Sequence, residues 1–111
     1  MSGVDFRLIT AALDGLSLRH RVTSANLANQ STPGYRRREV TFEDQLERAA
    51  HGGTFEPRIR EDRTKGDGDG NNVDPDQENA ELNCIEIQFQ TLTQALSAQA
   101  SLMRSAITGR G

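Results

Sequence analysis

Large aromatic side chains are scarce in this chain, which has no Trp, one Tyr and four Phe among 111 residues. Such side chains supply much of the core energy of small domains, and a chain of this size buries a smaller share of its surface than a large domain does. We therefore expect a protein that completes its core by packing against neighbours.

Other features are also missing. The single cysteine, Cys84, excludes an internal disulfide framework. No run approaches the ~20 apolar residues of a membrane-spanning helix, so we expect no membrane insertion. Asp5 and Arg7 interrupt the N-terminal region before any long apolar run, which argues against a cleaved secretory signal. Export would then need a route without a cleaved signal peptide.

Charge is distributed unevenly along the chain, although its net value is only -3. Residues 1–40 contain six Arg and three acidic residues, whereas acidic residues predominate in the rest of the chain. This balance lacks the broad basic surface of a nucleic-acid-binding protein, and we expect no nucleic-acid partner. Arg36, Arg37 and Arg38 are interpreted as a solvated or salt-bridged surface.

The first segment, from about Asp5 to Asn29, has the apolar periodicity of a helix. One apolar line contains Phe6, Ile9, Leu13, Leu16 and Leu27, with His20 and Thr23 in the gap. A second line, of Leu8, Ala12, Leu18, Val22 and Ala25, lies beside it. Together the two lines predict a buried stripe wider than one partner helix needs.

The last segment carries the signals of a second long helix over residues 75–107. Asp74 is a candidate N-cap, and Pro75 suits the first helical position. From Leu82 onward, apolar residues recur at alternating spacings of three and four, which is the heptad pattern of a coiled coil. The line runs through Leu82, Ile85, Phe89, Leu92, Leu96, Gln99, Met103 and Ala106.

Between the helices lies a polar insert. Thr32, Pro33 and Gly34 predict a type II turn, because such a turn favours Pro followed by a residue with positive φ. Apolar spacing predicts a short helix over Phe42–Ala50, and the glycine-rich residues 66–70 indicate a flexible linker.

We therefore predict an all-α fold in which two long terminal helices pack as an antiparallel coiled-coil hairpin. Residues 1–29 and 74–111 form the paired terminal helices, and residues 30–73 form a turn, a short helix and a flexible insert. The antiparallel direction places Asp76, Glu78, Glu81 and Glu86 near Arg19, Arg21 and Arg36–Arg38. The predicted assembly interface consists of Ile9, Leu13, Leu16, Leu27, Leu82, Ile85, Phe89, Leu92, Leu96 and Met103.

Two short motifs carry a family resemblance. The axial motif comprises Ala25, Asn26, Leu27, Ala28, Asn29, Thr32, Pro33, Gly34 and Tyr35. It closely resembles the N-terminal signature of bacterial flagellar rod and hook proteins. The rod motif, Gly70, Asn71, Asn72, Val73 and Asp74, together with the ending from Leu102 to Arg110, resembles the FlgB family of proximal-rod proteins.

This resemblance implies a structural subunit that self-assembles by helix packing into the hollow proximal rod of the flagellar basal body. It implies delivery by the flagellar type III export machinery, and contacts with other copies, with FlgC-like rod proteins and with a FliE-like ring adaptor. It implies neither an enzyme nor a cofactor.

The main alternative is a small calcium-responsive helical binding module. Asp67, Asp69, Asn71 and Glu78 match positions 1, 3, 5 and 12 of a calcium-binding loop. Asn72 stands where that loop needs Gly, and Pro75 falls inside it. A flexible linker running into a capped helix explains the same residues. His20, His51 and Cys84 lack the spacing of a metal or nucleophile site, so no catalytic or metal-binding residue is assigned.

Overall fold

A computed structural model describes residues 3–109, with side chains from residue 6 onward. It has the order α1 (Gly3–Ala28), β1 (Arg38–Thr41), α2 (Glu43–Ala50), β2 (Arg58–Glu61) and α3 (Pro75–Thr108). Residues 1–2 and 110–111 of the predicted terminal-helix unit lie outside the described residues. The molecule is elongated, with principal extents of 65 × 26 × 13 Å.

The two long helices are confirmed close to their predicted limits, and they pack against each other. Leu16 of α1 and Ile85 of α3 share one buried cluster. Arg19 lies 3.9 Å from Glu81, and Asn26 contacts Glu78 further along. Asp74 caps α3 as expected, because its carboxylate accepts a hydrogen bond of 3.0 Å from the Asp76 backbone N–H.

The expectation of an all-helical chain is wrong in one respect, because the insert contains a two-stranded sheet. β1 pairs with β2 in antiparallel register, with Val40 opposite Ile59. Every residue of β2 is exposed, so this strand has no alternation of buried apolar and exposed polar positions. Apolar periodicity, the main sequence signal for a half-buried strand, was therefore missing there.

The core lies where the insert meets both helices. Its buried residues are Leu16, Val40, Phe42 and Ile85. Around them pack Leu18, Val22, Leu46, Phe55, Phe89 and Leu92. Burying side chains of this size stabilises by about 1.5–3 kcal/mol each, so the insert contributes two of the four central residues and does more than connect the helices.

Phe42 fits into this core because of Gly15. A Cβ atom at Gly15 would lie 2.6–2.9 Å from three ring carbons of Phe42, closer than van der Waals contact allows. On the same ring, the Arg19 guanidinium lies 4.4 Å from the centroid, a cation–π distance. Arg19 also donates to the Val40 carbonyl and to the Glu43 carboxylate, at 2.7 Å each. Gly15, which sequence alone marks only as a weak helix former, is required by this close approach.

Gly15→Ala should therefore destabilise the protein, although this change normally stabilises a helix by about 1 kcal/mol. Overpacking costs typically ~1–3 kcal/mol, which outweighs the propensity gain. Chemical denaturation of the purified chain measures the change. In a Phe42→Leu background, where the ring is gone, the same substitution should become neutral or stabilising. A stabilising Gly15→Ala in the otherwise unchanged chain would show that Phe42 does not occupy this position.

Candidate functional site

The axial motif and the rod motif meet at one corner of the molecule, beside the end of α1 and the start of α3. Asn26 is at its centre and is completely buried. Its Nδ2 donates to the Arg38 carbonyl at 2.8 Å and, more weakly, to Glu78 Oε2 at 3.4 Å. Its Oδ1 accepts from the Arg38 backbone N–H at 2.9 Å and from the Tyr35 hydroxyl at 3.2 Å. All four hydrogen-bonding positions of the amide are used.

The predicted type II turn brings Tyr35 back to α1. The Tyr35 backbone N–H donates to the Thr32 carbonyl at 3.2 Å, and Gly34 has a φ of 76°, as the third residue of such a turn requires. Asn29 stabilises the C-terminal end of α1. Its Nδ2 donates to the Ala25 carbonyl at 2.8 Å, and its Oδ1 accepts from the Thr32 hydroxyl at 3.0 Å. The axial motif is thus a hydrogen-bonded reversal of the chain.

Asn71 of the rod motif caps that reversal from the other side. Its Nδ2 donates to the carbonyls of Asn29 and Thr32, at 2.9 and 2.7 Å. Its Oδ1 accepts from the Val73 backbone N–H at 2.8 Å. Helix ends leave unpaired carbonyls that need such partners, so the buried Asn71 amide links the end of α1 to the approach to α3.

Asn72 links the rod motif to the sheet. Its Oδ1 accepts from the Arg37 backbone N–H, and its Nδ2 donates to the Asp62 carbonyl, both at 2.7 Å. The Asn72 amide thereby bridges the two chain segments where the ladder of β1 and β2 ends. Asn71 and Asn72 are adjacent in the rod motif, but Asn71 binds the axial motif whereas Asn72 binds the two segments next to the sheet.

Arg37 and Glu78 form an ion pair beneath these amides. Arg37 Nε lies 2.6 Å from Glu78 Oε1, and the two residues are 6% and 0% exposed. Arg37 Nη1 also donates to Glu39 at 2.6 Å and to Asp62 at 2.8 Å. The expectation that all three arginines of the Arg36–Arg38 run lie on the surface is wrong for Arg37, because its guanidinium turns inward to these three carboxylates.

Opposing effects act on the pKa of Arg37. Burial lowers it, but the hydrogen bonds to Glu78, Asp62 and Glu39 outweigh burial, and the pKa of Arg37 is raised. The guanidinium therefore stays charged. The pKa of Asp62 is lowered to about 2, first by the hydrogen bond from the Thr64 backbone N–H and next by the one from Arg37.

The corner is suited to holding chain segments and unsuited to calcium. Glu78 is bound to Arg37 and Asn26, and Asn71 is bound to two carbonyls of the axial motif, so Asp67, Asp69, Asn71 and Glu78 do not converge on a cation position. Within residues 3–109, no group of three or more His, Cys, Asp or Glu is arranged to hold a metal ion. In the same part of the chain, no helix is long and apolar enough to cross a membrane.

The residues of the predicted assembly interface differ in how deeply they are buried. Leu16 and Ile85 are buried, and Met103 is 47% exposed. The remaining seven are half-buried, namely Ile9, Leu13, Leu27, Leu82, Phe89, Leu92 and Leu96. Along part of this line, Leu82, Ile85 and Phe89 lie with Ser17 and His20 in an open groove of about 850 Å³ between α1 and α3.

Two functional features were missed at the sequence level. The antiparallel direction placed Glu78 near Arg36–Arg38, but the burial of the Arg37–Glu78 pair was missed because a run of three arginines is usually solvated. The available signal was the expected antiparallel direction of the helices, which places Glu78 near Arg36–Arg38. Asn26 and Asn71 were identified as motif residues, but the sequence did not show that the Asn26 amide binds Arg38 and Glu78 or that the Asn71 amide binds the axial motif.

Asn26→Asp should strongly destabilise the corner. The change replaces the Nδ2 donor by an oxygen, leaves the Arg38 carbonyl without its partner and places a second carboxylate next to the buried Glu78. Uncompensated buried charge costs about 3–5 kcal/mol, measurable by denaturation of the purified chain. The control Asn83→Asp makes the same change on an exposed part of α3 and should cost less than about 0.5 kcal/mol. Equal effects of the two variants would contradict the role assigned to Asn26.

Asp62 should make stability depend on pH in acid. Its folded pKa of about 2 lies below the ordinary unfolded value of about 3.9, so its contribution is present above about pH 4 and is lost as the pH falls toward 2. Asp62→Asn should reduce the slope of unfolding free energy against pH in this window. The control Asp67→Asn lies away from Arg37 and should keep the wild-type slope. A wild-type slope in Asp62→Asn would show that Asp62 does not link stability to pH.

Comparison with known proteins agrees with the two motifs. No protein-family model matches the chain. A flagellar basal body rod protein FlgB from Borrelia hermsii is 57% identical over 37 residues, which cover 33% of this chain and 27% of the relative. The FlgB protein of Borreliella burgdorferi is 51% identical over a segment of the same length.

A further relative covers nearly the whole chain. The flagellar basal body rod protein FlgB of Aeromonas hydrophila is 30% identical over 116 aligned positions, which cover 88% of this chain and 88% of the relative. Identity at this level over this length includes both terminal helices and the insert between them. The chain belongs to the FlgB family of flagellar basal body rod proteins.

Proposed function

We propose that this chain is a structural subunit of the proximal rod, and that it self-assembles by helix packing into a hollow axial tube. The observation that carries the proposal is the match over 88% of both chains to a flagellar basal body rod protein. The elongated shape and the long helices fit a component that packs side by side with others. At the corner, the side chains of Asn26, Asn71, Arg37 and Glu78 bind other parts of the same chain, as a structural role requires.

The pairing of the terminal helices is proposed to be an antiparallel coiled-coil hairpin. The contacts support this direction, because α1 residues Leu16, Arg19 and Asn26 meet α3 residues Ile85, Glu81 and Glu78 respectively. As the α1 number rises, the α3 number falls. The half-buried apolar residues along both helices leave room for further helices, which neighbouring subunits would supply.

Partners and location follow from the same assignment. The proposed neighbours are other copies of this chain, FlgC-like rod proteins and a FliE-like ring adaptor. The proposed site is the periplasmic rod of the basal body, reached through the flagellar type III export machinery without a cleaved signal peptide. A heterologous contact that does not close on itself would let such subunits form a helical tube.

Leu92→Asp tests this proposal in cells. Leu92 packs against the core from α3, and an unpaired carboxylate there is costly enough to separate the helices. In a bacterial host whose own copy of the gene is deleted, the wild-type chain should restore swimming and appear in isolated basal bodies. The Leu92→Asp chain should be produced but should give neither rods nor swimming.

The matched control is Gln77→Asp, which adds the same charge to the exposed first turn of α3. A negative charge there complements the helix dipole, so rods and swimming should be normal. Failure of the wild-type chain to enter basal bodies would refute the proposed function. Normal swimming with Leu92→Asp would refute the role of the helix pair.

A further inference from the structure

Aspartate is followed directly by glycine at three places in the chain, namely Asp14–Gly15, Asp67–Gly68 and Asp69–Gly70. In such a pair, the backbone nitrogen of the glycine can attack the side-chain carboxyl carbon of the aspartate and close a five-membered succinimide ring. Glycine favours this attack because it has no Cβ to hinder the approach and because its backbone is conformationally free. The reacting groups are the same in all three pairs, so the fold decides which pair reacts.

The helical backbone protects the first pair. Asp14 and Gly15 lie in the middle of α1, where each backbone N–H donates to the carbonyl four residues earlier. The Gly15 nitrogen is held along the helix axis by this bond. It could turn toward the Asp14 carboxyl only if a turn of α1 opened, and Gly15 is also buried against Phe42.

Hydrogen bonds hold both reacting groups of the third pair. The Gly70 N–H donates to the Asp67 carbonyl at 2.8 Å, and the Asp69 carboxylate accepts from the Asn71 backbone N–H at 3.0 Å. Gly70 has a φ of 85° and lies against the axial motif, since a Cβ there would be 3.6 Å from the Gly34 Cα. Reaction at Asp69 would first have to break both hydrogen bonds.

The second pair has both reacting groups free. Asp67 and Gly68 are exposed, and within residues 3–109 neither the Asp67 carboxylate nor the Gly68 N–H has a hydrogen-bond partner. A Cβ at Gly68 would meet no atom within 4 Å, so the chain has room to rotate there. The Asp67 backbone is held in place, because its N–H donates to the Asn71 carbonyl at 2.8 Å.

We propose that Asp67 is a site of spontaneous isomerisation to isoaspartate, and that this modification weakens the corner. In the first step, the Gly68 nitrogen forms a bond to Cγ of Asp67, and the amide proton leaves with the carboxyl hydroxyl as water. Water then adds to the main-chain carbonyl carbon of the ring, and the bond from this carbon to the Gly68 nitrogen breaks. The chain now runs through Cβ and Cγ of Asp67, and its former main-chain carbonyl is a free carboxylate. Water is the only co-reactant.

The modification adds one backbone atom inside a closed loop. The Asp67 carbonyl, which accepts from the Gly70 N–H, no longer belongs to the main chain, so this hydrogen bond cannot keep its geometry. The adjoining bond from the Asp67 N–H to the Asn71 carbonyl is disturbed with it. Because the Asn71 amide binds the carbonyls of Asn29 and Thr32, displacement of Asn71 weakens the junction of the axial and rod motifs. The reaction is a property of the single chain and does not depend on the proposed function.

Ageing of the purified chain tests the selectivity. Samples are kept at neutral pH for several weeks, and isoaspartate is located by peptide mapping and by labelling with an isoaspartate-specific methyltransferase. We expect isoaspartate to form about tenfold faster at Asp67 than at Asp14 or Asp69, because the latter two must first lose hydrogen bonds. In a parallel sample unfolded in guanidinium chloride, the three rates should become similar. Similar rates in the folded chain would overturn the proposal.

Gly68→Ala is the matched control. It places a methyl group beside the attacking nitrogen, and the fold should accept it because Gly68 does not have a positive φ and the space around it is open. After ageing, the wild-type chain should unfold at a lower denaturant concentration than a fresh sample, whereas Gly68→Ala should form little isoaspartate at Asp67 and keep its midpoint. An unchanged midpoint in wild-type chain rich in isoaspartate would also overturn the proposal. Either result would leave the proposed function standing, because rod assembly is not measured.

Discussion

The buried ion pair of Arg37 and Glu78 is the interaction on which the shape of the corner depends, because it joins the insert to the start of α3. Removing two charges from water costs several kcal/mol per ion, and the pair persists only if its remaining hydrogen-bonding positions are filled. Asp62 and Glu39 accept hydrogen bonds from Nη1 of Arg37, while Asn26 and Arg37 reach the two oxygens of Glu78. Since each partner is needed by another, the segments that supply them must be in place together.

This dependence explains why the two motifs are spaced widely in the sequence but meet in the fold. The hydrophobic effect is non-directional, whereas hydrogen bonds fix direction and distance. The Asn26 side chain forms hydrogen bonds with both the N–H and the carbonyl of Arg38. It therefore attaches the unpaired edge of β1 to α1 in the way that a neighbouring strand would. Asn72 joins the same end of the ladder to the rod motif, through Arg37 and Asp62. The angle between the helices and the insert is therefore set by the amides of Asn26, Asn71 and Asn72, and each motif contains two asparagines.

Periodicity and local chemistry were enough to predict α1, α3, the turn at Thr32–Tyr35 and the Asp74 cap, since each is encoded within a few neighbouring residues. The sheet, the inward position of Arg37 and the need for Gly15 were not predicted. Each depends on a partner far away in the chain: β2 on its pairing with β1, Arg37 on Glu78, and Gly15 on the Phe42 ring. A local sequence pattern indicates the structure that a segment favours by itself. It does not show which distant residue will contact the segment and change that structure.

Charge in this chain is divided between two tasks. At the corner, the charged and amide side chains of Asn26, Arg37, Asp62 and Glu78 determine the conformation of one subunit through directional bonds. The centre of α3, between Glu86 and Arg104, has no charged side chain. A charge placed there would be satisfied in the free chain by water and would have to lose that water whenever another helix covered it. In the proposed assembly, the absence of charge from the middle of α3 would remove this cost of association, while the bonds at the corner would keep the orientation of the helices independent of what covers them.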